Sequence, residues 1–122
     1  SPCEPVDFAG RTIPVSQCNN VYIFPAIGLG AIASGARRIT ETMLMAASRA
    51  LADASPSVRH HGGGLLPEIN MICDVTRRIA FEVGKAAQLS GVADALDDAV
   101  LTQRITAHFW LPHYRPYKRR AI

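Results

Sequence analysis

Hydrophobic and polar positions change register several times along the chain, and each change marks an element. The first twenty residues are broken by Pro2, Pro5, Gly10 and Pro14. Within them Pro5-Val6-Asp7-Phe8 and Arg11-Thr12-Ile13 flank Ala9-Gly10, where glycine can take the positive φ of a tight turn. That spacing predicts a short β-hairpin or an extended segment. A polar run, Ser16-Gln17-Cys18-Asn19-Asn20, precedes Val21-Tyr22-Ile23-Phe24, which is strongly β-prone until Pro25 ends or reshapes it. Residues 26–34 are small and apolar on every side, so as a helix they are expected to lie buried and close against a neighbour. Gly35 suits a helix stop.

The clearest helical period covers residues 40–55. Thr40 can accept from the free amides of a first turn, and Glu41 complements the positive end of the dipole. Met43, Ala47, Ala50, Leu51 and Ala54 share one face, with Pro56 marking the end. Residues 57–64, with Gly62-Gly63-Gly64, read as a loop. Pro67 fits a first helical position, and Ile69, Ile72, Thr76, Ile79, Val83 and Ala86 then form one stripe that stops at Gly91. A last helix is expected over residues 94–110, with Leu96, Val100, Leu101, Ile105 and Phe109 inward. The prediction is a mostly α-helical chain with a short N-terminal hairpin or extended segment.

Composition agrees with a packed globule. At 122 residues and 13.2 kDa, with 48% hydrophobic and 19% charged residues, there is enough apolar surface for one modest core. The net charge of +3 is mild and mostly dispersed, which gives little support to nucleic-acid binding. The longest apolar stretch, residues 21–36, is too short and too interrupted to span a bilayer, and no secretory leader opens the sequence. Three cysteines, Cys3, Cys18 and Cys73, lack metal-ligand spacing and read as small buried hydrophobes in a reducing compartment, so the cytoplasm is expected.

Several residues carry possible chemistry. Gly28-Leu29-Gly30-Ala31-Ile32-Ala33 matches a dinucleotide fingerprint, but Pro25 starts the helix before Gly28 and no acid follows on a second strand. Close helix packing is the better reading. His60-His61 have no supporting ligand at a useful spacing, and Asp97-Asp98 diverge on a helix, where they favour the dipole. The basic, aromatic tail from His113 to Arg120 could bind phosphates, which defines an interaction-module alternative, although a docked or frayed terminus explains it more simply. In Gln17-Cys18-Asn19-Asn20, neutral carboxamides could orient a carboxylate or carbonyl; spacing alone favours turn chemistry.

Read together, these residues resemble the C-terminal region of malic enzymes. The resemblance is carried by Ser1-Pro2, Pro5-Val6, Gly10-Arg11 and the specific run Gln17-Cys18-Asn19-Asn20-Val21-Tyr22-Ile23-Phe24-Pro25. It continues through Ile27-Gly28-Leu29-Gly30, Arg38-Ile39-Thr40, Gly64-Leu65-Leu66-Pro67 and Ile79-Ala80 to Trp110 and Tyr114-Arg115-Pro116-Tyr117-Lys118-Arg119, similar to bacterial NAD-dependent members. Position 26 is alanine where the family usually has glycine.

The resemblance implies that residues 1–122 are the C-terminal portion of an α/β, Rossmann-like NAD-binding domain plus a tail. It implies NAD-linked oxidative decarboxylation of (S)-malate to pyruvate with Mn²⁺ or Mg²⁺; malolactic-type conversion to lactate is the alternative. The family's catalytic tyrosine and lysine, metal carboxylates and pyrophosphate loop match no position here. Asn19 and Asn20 match its asparagine pair, implying malate contact by both and nicotinamide contact by Asn20. Partners implied are malate, NAD, the remaining domains of the same chain and further copies in a homo-oligomer, with no nucleic acid and no membrane. A piece without most of its parallel sheet is expected to expose apolar helix faces.

Overall fold

The computed structural model describes residues 3–59, 63–111 and 114. Two short strands open it, β1 (Val6–Phe8) and β2 (Arg11–Ile13), paired antiparallel with Val6 opposite Ile13 and Phe8 opposite Arg11. Ala9 and Gly10 form the connection at φ 49° and 74°, as the Ala9-Gly10 spacing predicts. Every residue of the two strands is exposed.

The β-prone run 21–24 forms no strand. Asn20–Tyr22 make one 3-10 turn, and α1 follows at Phe24–Ser34 with Pro25 in its first turn. A capping asparagine before the run and a proline inside the first helical turn override β-propensity, which is a weak local preference. Gly35 ends α1 at φ 69°, and its amide bonds back to Ala31 and Ile32. Helix α2 covers Glu41–Asp53, with the Thr40 hydroxyl accepting from the Met43 amide as its cap.

Pro56 opens a single turn, α3 (Pro56–Arg59), within the stretch expected to be all loop. Pro67, by contrast, does not begin a helix. A 3-10 turn at Ile69–Met71 leads into α4 (Ile72–Leu89), and the Pro67 carbonyl serves a tertiary hydrogen bond instead. Helix α4 stops at Ser90, with Gly91 at φ 69°. Helix α5 is shorter than the sequence suggests, Asp98–His108, because Asp97 is extended and Phe109 leaves helical geometry. Leu101 and Ile105 point inward as expected, while Val100 is exposed and Leu96 and Phe109 are only half-buried.

Helix α4 is the centre. One of its faces, Val75, Ile79, Val83 and Ala87, closes a core with Ala26 of α1 and Met43, Ala47 and Ala50 of α2. Another, through Ala80, meets Ala33 of α1 and Leu101 and Ile105 of α5. Met43, Ile79, Leu101 and Val83 are the largest fully buried side chains, each contributing about 1.5–3 kcal/mol of burial. Cys3 and Cys18 are exposed and Cys73 half-buried, which corrects the expectation of buried cysteines. Both Cys3 and Cys18 precede the first helical turn, which begins at Asn20.

The apparent dinucleotide fingerprint lies inside α1, not in a strand-to-helix loop. A Cβ on Gly30 would sit 2.6 Å from the Ala80 carbonyl oxygen and 2.8 Å from Val83 Cβ, whereas one on Gly28 would meet nothing within 4 Å. Gly30→Ala is therefore expected to destabilise the chain by about 1–3 kcal/mol, because a backbone carbonyl cannot step aside. Gly28→Ala should gain about 0.5–1 kcal/mol from helix propensity. Chemical denaturation of the two variants checks this; equal shifts would refute the packing role of Gly30.

Candidate functional site

The two candidate asparagines stand on the 3-10 turn that leads into α1. Asn19 is extended at φ −146° and ψ 146°, and its Oδ1 accepts from the Val21 amide at 2.9 Å. Its own carbonyl accepts from Tyr22 N at 3.3 Å, and the Asn20 carbonyl accepts from Ile23 N at 3.1 Å. Asn19 therefore does perform the turn chemistry that its spacing suggests. Both side chains are exposed, and among the described residues the Asn20 carboxamide has no hydrogen-bond partner. It offers two donors and an acceptor to solvent.

Tyr22 is the buried member of the turn, 6% exposed, and its hydroxyl donates to the Pro67 carbonyl at 2.7 Å. Ser16 Oγ accepts from the Leu66 amide at 3.3 Å. An open groove of about 620 Å³ lies beside these contacts, walled by Ser16, Gln17, Tyr22, Pro67, Glu68 and Asn70 among others. Glu68 accepts from Asn70 Nδ2 at 3.1 Å. Asn19 and Asn20 do not line the groove. The sequence reading overlooked Ser16 and Tyr22, whose only trace is a polar or amphipathic residue at each end of the asparagine run.

Other candidates separate. Asp98 lies in the first turn of α5, as a dipole-favouring acid should, and also pairs with Lys85 at 2.6 Å. Asp97 sits at the cap position without a side-chain capping bond. His60, His61 and the tail apart from Tyr114 lie outside the described residues. Among the described residues no three His, Cys, Asp or Glu side chains converge on a metal position. The described residues thus offer no set that would hold a divalent cation, and the helical glycines do not fit a pyrophosphate.

The family model "Malic enzyme, NAD binding domain" matches residues 1–88. The chain belongs to the malic enzyme NAD-binding domain family. It is 58% identical over all 122 residues to the NAD-dependent malic enzyme of Erwinia tasmaniensis and 60% identical to that of Edwardsiella ictaluri, spanning 22% of each relative. The NAD-dependent malic enzyme of Acinetobacter baylyi is 56% identical over 119 residues, 98% of this chain and 21% of the relative. The chain thus spans about a fifth of the length of the malic enzymes it matches, along its whole course. The fold agrees at the level of a mostly helical part of such a domain, with a two-stranded hairpin at its start. No helix of the described residues is long and apolar enough to cross a membrane.

The capping bond of Asn19 makes a stability prediction. Asn19→Ala removes the acceptor for Val21 N and should cost about 1 kcal/mol, while Asn19→Asp keeps a capping oxygen and should change stability little. Thermal midpoints of the two variants check it. Equal losses would show that the cap carries no weight.

Proposed function

We propose that this chain works as the C-terminal part of an NAD-dependent malic enzyme. The reaction is (S)-malate plus NAD⁺ to pyruvate, carbon dioxide and NADH. The observation that carries the reading is the end-to-end similarity to enzymes named for that activity, at 56–60% identity. C2 of malate loses a hydride, and the C4 carboxylate departs as carbon dioxide. When bound, NAD supplies the hydride acceptor and Mn²⁺ or Mg²⁺ a Lewis acid, the latter from ligands outside this chain. The chain's own part is orientation. Asn20 donates from its carboxamide to a malate oxygen or to the nicotinamide amide. Asn19, with Oδ1 engaged on Val21, keeps its NH₂ to offer malate. The parent is read as a parallel-sheet, cytoplasmic homo-oligomer, and the exposed Phe24 and Ile32 support contact with further protein.

The test is malate-dependent NADH formation by the full-length protein with Mn²⁺. Lactate without net NADH would move the assignment to malolactic-type enzymes. The 122-residue chain alone should turn over no malate, since neutral carboxamides supply no general acid or base. A hydrogen bond to a charged group is worth on the order of 1.5–3 kcal/mol, so Asn20→Ala should lower kcat/KM by roughly ten- to a hundred-fold. Asn20→Asp should be worse, because it sets a charge against an anionic substrate. Near-normal kinetics in Asn20→Asp would remove Asn20 from the site.

A further inference from the structure

Four consecutive residues, Gly64, Leu65, Leu66 and Pro67, are each held by a hydrogen bond from elsewhere in the chain. The Gly64 carbonyl accepts from Ser57 N at 3.2 Å, and the Leu65 carbonyl accepts from Ser55 Oγ at 2.6 Å. Ser55 is 4% exposed. The Leu66 amide donates to Ser16 Oγ at 3.3 Å, and the Pro67 carbonyl accepts from Tyr22 OH at 2.7 Å. Pro67 is itself buried. The segment is a fixed post tied to the junction between α2 and α3 and to α3 itself.

Ser16 and Tyr22 stand on either side of the exposed run Gln17, Cys18, Asn19 and Asn20. They fasten it to adjacent backbone groups of that post, one through an amide and one through a carbonyl. A five-residue stretch pinned at both ends to neighbouring residues has little freedom to shift. The Asn19 cap on Val21 removes more of it from within. What remains to the Asn20 side chain is its own rotamers.

We propose that Tyr22, assisted by Ser16, is a positioning residue for Asn20: the two hydroxyls fix where its carboxamide meets the substrate or nicotinamide. The proposal rests on the reading of Asn20 as a ligand contact. It gives Tyr22 a role that burial of its ring alone would not require. A phenylalanine could fill the same space, but it would leave the Pro67 carbonyl without its partner and the turn free to tilt. Placement within a fraction of an ångström is what a reacting geometry demands.

The experiment is a double-mutant cycle in the full-length enzyme, with hydrogen exchange as a second readout. Tyr22→Phe should lower kcat/KM for malate by about three- to tenfold, and Ser16→Ala by less. Neither should lower it further in an Asn20→Ala background, since the contact they position is then already gone. A merely structural role predicts the same factor in both backgrounds, and that result overturns the proposal. Exchange in the peptide covering residues 17–24, measured without malate or NAD, should speed up in both single variants. Unchanged exchange overturns the clamp whatever Asn20 does. If exchange speeds up while Asn20→Ala leaves kinetics intact, the assignment of Asn20 falls, and the positioning role falls with it. Ser16→Ala keeps the cycle readable should Tyr22→Phe fail to fold.

Discussion

The close approach of α1 to α4 at Gly30 is the constraint on which the rest of the structure depends. With no side chain there, α1 lies against the Ala80 carbonyl and Val83, and Ala26 and Ala33 on either side of the contact are fully buried. Gly84, one turn on from Ala80, gives a softer version of the same contact toward α5, where a Cβ would lie 2.9 Å from the tip of the Leu101 side chain. Each helix that flanks α4 is therefore brought in by small residues, and a few larger ones, Met43, Ile79, Val83 and Leu101, fill what is left. Cores of this kind resist added volume at the close contacts, because their tolerance lies in the larger side chains.

That packing fixes the start of α1, and the start of α1 carries the asparagine turn. Ala26 is fully buried one helical turn before Gly30, so the axis of the helix is set from its first residues. The methyl at position 26, where the family usually has glycine, is absorbed into the core shared with α2 and α4. The turn before it is joined to the helix by consecutive backbone bonds, from Tyr22, Ile23 and Ile27. A chain of contacts thus runs from a glycine in mid-helix to two exposed carboxamides.

The helices were legible wherever period and stop signal agreed. Residues 41–53 follow their apolar stripe; of the stripe expected in 69–86, Thr76, Ile79 and Val83 are buried but Ile69 is exposed, and Gly35 and Gly91 take the left-handed conformation that their positions suggest. Misreadings cluster where one residue could serve two ends. Val21 to Phe24 have strand composition, yet the decisive signals were an asparagine before them and a proline after. Pro67 has the geometry of a helix start, but its carbonyl is claimed by Tyr22, 45 residues away in sequence. No local pattern encodes a partner at that distance. The family likeness of Asn19 and Asn20 was visible in the sequence; the bonds that tie Ser16 to the Leu66 amide and Tyr22 to the Pro67 carbonyl were not, because a hydroxyl announces no particular partner.

The two asparagines differ in what their carboxamides engage. A carboxamide that caps its own turn commits part of its acceptor capacity to the backbone and gains a fixed orientation; one without such a bond keeps every hydrogen-bonding group but must be oriented by something else. Asn19 is the first kind and Asn20 the second. Placing the self-capped residue directly before the available one stiffens the backbone from which Asn20 projects, while Tyr22 on its far side ties the same turn to a buried carbonyl. A self-capped carboxamide and an unengaged one thus occupy adjacent positions, an arrangement that supports the proposed contact of Asn20. A turn reading and a site reading of this segment are not rivals: the turn is the means by which an exposed side chain acquires a defined position without being buried.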